Sequence, residues 1–286
     1  MGRVKATKRT VLRPGMTTKA IVYTLLVIWA VGNLYPFVWW LMSSLKSDYE
    51  LINHTFGLPR VWMWVNYKIA FVQGKFANYF LNSVIYAFGS LVAVLLVSSM
   101  AAFVFARDDF RLKKAVYGLF IAAFLIPSIG GVLPLSLFLR HIGIYGTHWA
   151  LTLIYTATGI PFAIFMLTTF MSSLPTALEE SAVIDGASPW QVYQHVILPL
   201  SQPALVTLGI FHFLGTWNEF LIAIVFSSSE KTMTLPVGIF NLTSRFRANY
   251  TGVMAGMVMA AVPVIIFYAI AQDKVIKGIT AGSLKV

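Results

Sequence analysis

Six apolar blocks, at roughly 21–42, 79–106, 115–139, 149–171, 203–226 and 251–271, leave this chain few ways to fold. Each is long enough to cross the hydrocarbon core of a bilayer, which takes about 20 residues as a helix. No water reaches that core to pair a free backbone N–H or C=O, so a spanning segment must be a helix or part of a closed barrel. Barrel strands alternate apolar and polar residues over segments of about ten. Runs such as Leu91-Val92-Ala93-Val94-Leu95-Leu96-Val97 do not alternate. Composition agrees, with 58% hydrophobic residues, 11% charged and a mean hydropathy of +0.77, against about 25% charged in a soluble domain. The expectation is an all-α membrane protein of six transmembrane helices: a tail over 1–20, a six-span domain over 21–271 interrupted by a polar loop at 172–202, and a tail over 272–286.

Basic residues near span ends are retained on the cytoplasmic side. Six spans put both termini on one side. Placing them inside groups Arg3, Lys5, Lys8, Arg9, Arg13 and Lys19 with Arg107, Arg111, Lys113 and Lys114 and with Lys274, Lys277 and Lys285, the larger share of the Lys and Arg. The chain is therefore expected to be multi-pass in the cell membrane, with both termini cytoplasmic. The loop at 172–202 then also faces the cytoplasm. It holds no Lys or Arg, only the acids Glu179, Glu180 and Asp185. The first block is too long for a cleaved signal core of 7 to 15 residues, and is expected to stay as the first span.

Several chemistries are excluded or unsupported. The net charge of +11 is dispersed over both sides of the membrane with no basic stripe, so positive-inside topology explains it and no nucleic-acid partner is expected. With no cysteine, disulfides, thiolate metal sites and cysteine nucleophiles are ruled out. His54, His141, His148, His195 and His212 lie scattered without carboxylates at ligand spacing, so no metal site is expected. There is no Gly-x-Ser-x-Gly elbow. There is also no phosphate-cradling Gly-x-x-x-x-Gly-Lys-Ser/Thr loop, the nearest stretch, Gly278 to Lys285, having the wrong order.

Pro36, Pro127, Pro134, Pro161 and Pro263 fall inside the blocks. Each removes a helix hydrogen bond and either shapes a hinged cavity or is simply accommodated by packing. Pro127 and Pro134 with Gly130-Gly131 should interrupt the third span near its outer half. In the fifth, Trp217-Asn218-Glu219 sits between apolar stretches, and Glu219 is the one acid placed within a span. A charge there is costly and usually faces a cavity or the bundle interior. Asn218 and Glu219 either line or brace a hydrophilic pathway or make a structural hydrogen bond between helices.

The 172–202 loop carries helix signals of its own. Thr176 to Ile184 are good helix formers, with Pro175 placed to start the helix and Gly186 to end it. A second short helix can begin with Ser188 as N-cap and Pro189 at its first position, with Trp190, Val192, Tyr193, Val196 and Ile197 as its apolar face. Pro199 and Pro203 are expected to end it and launch the fifth span. A bland connection would not need some 30 residues of this apolar content.

Glu180-Ser181-Ala182, Asp185-Gly186-Ala187 and Ile197-Leu198-Pro199 together resemble the EAA motif of permease subunits of ATP-binding-cassette importers, with Ser181 in place of the first alanine. Asn82-Ser83, Pro161-Phe162, Trp217-Asn218-Glu219-Phe220, Thr234-Leu235-Pro236-Val237-Gly238 in the outer loop, and Gly278 to Lys285 extend the likeness over nearly the whole chain. They resemble the carbohydrate-uptake subfamily typified by the smaller maltose-system permease.

The resemblance implies a type I permease fold whose cytoplasmic coupling helix docks in a cleft of an ATPase subunit. Glu180 would face a basic group there, Asp185 would cap or pair locally, Gly186 would permit the turn, and Leu198 and Pro199 would fix the return to the membrane, beside Ser181, Ala182 and Ala187. Trp217, Asn218 and Glu219 are candidates for the substrate pathway. The implied partners are two ATPase subunits that bind ATP and magnesium, a second permease that is a different chain, an extracytoplasmic solute-binding protein reaching about Ser227 to Tyr250, and a sugar. The tail from Gly278 to Val286 would enter the ATPase interface. The chain itself would hold no cofactor and catalyse nothing. An ion-coupled secondary transporter is the alternative; it would need more intramembrane titratable groups than Glu219 and usually shows internal repeats.

Overall fold

The computed structural model describes residues 15–245 and 249–283, without the side chains of residues 128, 243–245, 271 and 273–283. The basic residues from Arg3 to Arg13 and the last residues of the tail lie outside the described part. Every regular element described is helical. The first is α1 (Met16–Ser44), followed by two short helices, α2 (Asp48–Asn53) and α3 (Val65–Val72). After α4 (Phe76–Arg107) come α5 (Lys113–Leu125) and, beyond a 3-10 turn at Ser128–Gly131, α6 (Val132–His141). Next is α7 (His148–Met171), then α8 (Ala177–Ile184) and α9 (Pro189–Val192). A π turn at Tyr193–Ile197 leads into α10 (Leu198–Leu200), α11 (Gln202–Asn218) and α12 (Leu221–Phe226). The last are α13 (Leu235–Arg245) and α14 (Tyr250–Ser283).

By length and composition, α1, α4, α7 and the Tyr250–Ile270 part of α14 can each cross a membrane, and two bent helix pairs raise the number to six. One pair is α5 and α6, which turn sharply where Ile126 leaves the helix ahead of Pro127, as the Pro and Gly cluster implied. The other is the Pro189–Leu200 arm with α11, bent by 71°. Pro36, Pro161 and Pro263 ride within helices that continue past them. The sixth expected span coincides with the Tyr250–Ile270 part of α14, and the same helix continues beyond it to Ser283.

The centre of the bundle is the α4–α7 pair. On α4 the inward positions are mostly small, Ala87, Ser90, Val94, Ser98 and Ala102, at helical spacing. Opposite them lie Ala150 and Ala163 of α7. Small side chains let two backbones approach closely, which drives helix association where lipid is as apolar as the protein. By contrast α1 leaves most of its apolar surface uncovered and packs chiefly on α14.

At the end where α1 meets α2, the fully buried Lys46 donates from Nζ to the carbonyls of His54 and Thr55 at 2.8 and 3.0 Å. Asn66 donates to the carbonyls of Ser44 and Lys46, both at 2.8 Å. These bonds fold the 45–66 segment into a cap. The segment expected as an outer loop at 227–250 likewise tucks in, with Leu235 and Val237 of α13 fully buried.

Candidate functional site

The elbow between α7 and α11 is built as two arms around Gly186. The first arm, α8, ends in a pair of reverse bonds: Ala187 N–H donates to the Ala182 carbonyl at 2.9 Å and Gly186 N–H to Val183 at 3.0 Å. This Schellman closure requires a left-handed residue at the second-last position, and Gly186 has φ +85°. Nothing lies near its missing Cβ, so it is backbone conformation and not crowding that demands glycine. The second arm opens with a full capping box. Ser188 Oγ accepts from Gln191 N–H at 3.4 Å, and Gln191 Oε1 accepts from Ser188 N–H at 2.8 Å, with Pro189 in the first turn.

Pro199 does not end this arm, contrary to expectation. A π turn at Tyr193–Ile197, in which Leu198 N–H reaches the Tyr193 carbonyl, shifts the register ahead of the proline, and the helix runs on through Leu200. The chain bends instead at Ser201, just before Pro203. Single π turns are frequent at functional positions in helices.

The motif residues divide between two faces. Ala182 and Ala187 pack inward against a cluster formed by Val94 and Ala102 of α4, Ala163, Leu167 and Met171 of α7, Val192 and Ile197 of the second arm, and Leu208 of α11. Glu180, Ser181, Asp185 and Gly186 face outward. Ser181 Oγ folds back onto the Ala177 carbonyl at 2.6 Å. Beside the acids stand large apolar side chains without cover, Ile184 at 85% exposure and Val183 at 60%. Leu198 is half-buried and Pro199 exposed.

Two attachments were not legible from sequence. Tyr193 and Ser99 share a buried hydrogen bond of 2.8 Å, pinning the second arm to α4. Arg107, at the end of α4, forms an ion pair with Glu179, at the start of α8.

Toward the other end of the bundle, Trp217, Asn218 and Glu219 separate. The fifth span was expected to run unbroken to residue 226. Instead α11 stops at Asn218, and Glu219 lies in an extended stretch ahead of α12. Its carboxylate accepts from Ile222 N–H at 2.8 Å, Ala223 N–H at 2.9 Å and Tyr155 Oη at 3.0 Å. Those amides open α12 and have no partner within it, so the acid closes the break it sits beside. It also lines a cavity of about 330 Å³ between α7 and α11 that includes His212, whose Nε2 lies 2.9 Å from Ser90 Oγ.

Trp217 is buried against Phe80 and Phe213. With Asn218 it borders a different, larger cleft of about 790 Å³ between α1, α11, α13 and α14. Asn82 and Ser83 hold the chain leading into α13. Asn82 donates to the carbonyls of Lys231 and Met233 at 2.8 and 2.9 Å, Ser83 Oγ accepts from Leu235 N–H at 2.8 Å, and Tyr86 donates to Thr232. Among the described residues, no group of three His, Asp or Glu gathers as metal ligands would.

The chain is thus a bundle of helices able to span a membrane, with a two-armed elbow packed onto its central pair. Residues 94–280 match the family described as binding-protein-dependent transport system inner membrane component, and the chain belongs to it. It is thus a multi-pass membrane protein and the permease subunit of an ATP-binding-cassette importer. It is 39% identical over 269 residues to a putative ABC transporter permease of Caldicellulosiruptor sp. (strain Rt8B.4), covering 94% of this chain and 98% of the relative. It is 34% identical to the diacetylchitobiose uptake system permease NgcG of Streptomyces coelicolor, over 93% of this chain and 89% of that one. The fold matches a chain of a bacterial alginate importer with a TM-score of 0.79 at 22% identity, covering 91% of this chain and 98% of that one. The ion-coupled alternative gains no support from any of these matches.

Proposed function

We propose that this subunit forms half of a translocation pathway for a sugar or oligosaccharide and takes its driving motion from ATPase partners at the elbow. The observation that carries the proposal is the elbow's composition. An outward face of exposed apolar and acidic residues, Val183 and Ile184 beside Glu180 and Asp185, sits on a base packed into the same cluster as the spans. Such a face suits a partner cleft with an apolar floor and a basic rim, where burial supplies affinity and charge supplies orientation.

The elbow lies at the same end of the bundle as the start of α1 and the end of α14, because the spans alternate. Positive-inside topology assigns that end to the cytoplasm. The ATPase subunits hold the nucleotide and magnesium, and this chain contributes no catalytic group. Closure of the ATPases around ATP pushes the elbow, and the spans pass from inward-facing to outward-facing. The free energy comes from the tighter binding of ATP to the closed state. A second permease of different sequence completes the pathway and covers apolar surface that α1 leaves open. A solute-binding protein engages the outer segment around 227–250, of which residues 246–248 lie outside the described part.

The kinship with a diacetylchitobiose uptake permease supports a sugar as cargo. Asn218 and Glu219 border the two cavities on the pathway side, and Trp217 backs them as packing. Purification of the chain with its neighbouring gene products into vesicles, followed by sugar uptake with and without internal or external ATP, tests the proposal. Uptake is expected to require ATP on the elbow side and the solute-binding protein on the other. Uptake by the chain alone under an ion gradient would contradict it.

A further inference from the structure

Building on the importer assignment, we infer that Arg107 and Glu179 form a latch that makes the first arm of the elbow move as one body with α4. They are positioning residues for coupling, distinct from the outward-facing Glu180. The need for a latch follows from how little else holds that arm. No residue of α8 is fully buried, and Ala182 is its main contribution to the core cluster. Left to its short links, α8 could tilt against the bundle when pushed, and a displaced partner would move the elbow without moving the spans.

The ion pair is placed to prevent this. Arg107 Nη2 lies 2.5 Å from Glu179 Oε1, and the two side chains are only 11% and 14% exposed. The same guanidinium nitrogen donates to the Leu174 carbonyl at 3.2 Å, in the turn that joins α7 to α8. One side chain therefore ties the end of α4, the exit of α7 and the start of α8. Each charge also sits at the helix end that favours it, the cation in the last turn of α4 and the acid in the first turn of α8. A solvated ion pair would hold little. One withdrawn this far is held strongly, because separating its members strands a charge away from water. The second arm has its own tie to the same helix, the Tyr193–Ser99 bond. Both arms thus bear on α4, which forms with α7 the most extensively packed helix pair in the bundle.

The test uses the complex purified with its ATPase and second permease subunits in lipid nanodiscs. It compares Glu179→Gln, Arg107→Gln and the double swap of Arg107→Glu with Glu179→Arg. The readouts are the amount of ATPase retained on the chain and the ratio of hydrolysis with the solute-binding protein to hydrolysis without it. Each single variant is expected to retain ATPase but to lose about tenfold or more of that ratio, as a stranded buried charge drives the arm off α4. The swap is expected to recover at least half of it. A merely structural role would lower both rates together and leave the ratio unchanged, which would overturn the latch; so would a swap that assembles normally and recovers nothing.

A second measurement covers variants that fail to assemble. The chain has no native cysteine, so spin labels at Asp108→Cys and Thr176→Cys report the distance between the end of α4 and the start of α8 with the ion pair intact. That distance should be the same without nucleotide and with ATP bound, and a change between the two states would sink the inference. A wild-type complex that retains no ATPase would instead overturn the importer assignment, and the latch with it.

Discussion

Gly186 turns the elbow because its backbone is left-handed, at φ +85°, in open space. Substitution therefore costs strain without a clash, about 1–2 kcal/mol for an ordinary residue. Asn, which visits this region more readily, should be tolerated better than Val. Gly186→Val is expected to lose most of the ATPase that copurifies with the wild-type chain and Gly186→Asn to keep most of it; equal retention would argue against the strained turn. Glu219 makes a different case. A single acid within an apolar block reads from sequence as a pathway group or a structural one, and its three accepted bonds show a clamp across the break between α11 and α12. In Glu219→Gln the amide nitrogen cannot accept, so at least one of those bonds is lost, at about 1–3 kcal/mol for a donor left unpaired. The variant should melt at a lower temperature in detergent, and an unchanged melting temperature would remove the clamp.

At the scale of elements, the signals that were legible are those carried by local chemistry. Ser188 and Pro189 announce a helix start, Gly186 a helix end, and the Pro127 to Pro134 cluster a break, and each feature lies where its residues imply. What could not be read depends on partners distant in sequence. Arg107 looked like one more positive-inside residue, and Glu179 like part of an acidic loop; their pairing needs the bundle to bring them together. The π turn ahead of Pro199 and the break after Asn218 were hidden for a related reason, since tertiary contacts such as Tyr193 to Ser99 and Glu219 to Tyr155 override a continuous apolar pattern.

Two predictions belong at this scale. Ser188→Ala removes the N-cap acceptor and should cost about 1 kcal/mol of the second arm's stability. Amide exchange across residues 189–192 should accelerate accordingly, and unaltered exchange would contradict the capping box. Asn82→Ala frees the carbonyls of Lys231 and Met233. Exchange over 227–235 should then rise about fivefold or more, the equivalent of roughly 1 kcal/mol; no change would mean that this segment is held by other contacts.

For the molecule as a whole, composition and block length were enough for the membrane and the helices, and the elbow's motif was enough for the importer class. The division of labour within the bundle was not legible, because it lies in which helices share a core. One cluster joins the elbow to α4, α7 and α11, a second joins α4 and α11 to α13 and α14, and a third joins α4 and α7 to α6 and α12. Helix α4 contributes to all three, so the motion proposed to enter at the elbow would have a path of packed side chains to the opposite end of the bundle. Packed interfaces of this kind transmit a displacement between discrete arrangements and do not absorb it.

The most direct test of the account places a single cysteine at Ile184, 85% exposed at the elbow tip, in a chain that has no other. A thiol reagent that cannot cross the membrane should label it only from the cytoplasmic side, and a photo-crosslinker attached there should capture an ATPase subunit in the assembled complex. Labelling from outside, or an assembled and transporting complex in which no ATPase is ever captured, would contradict it.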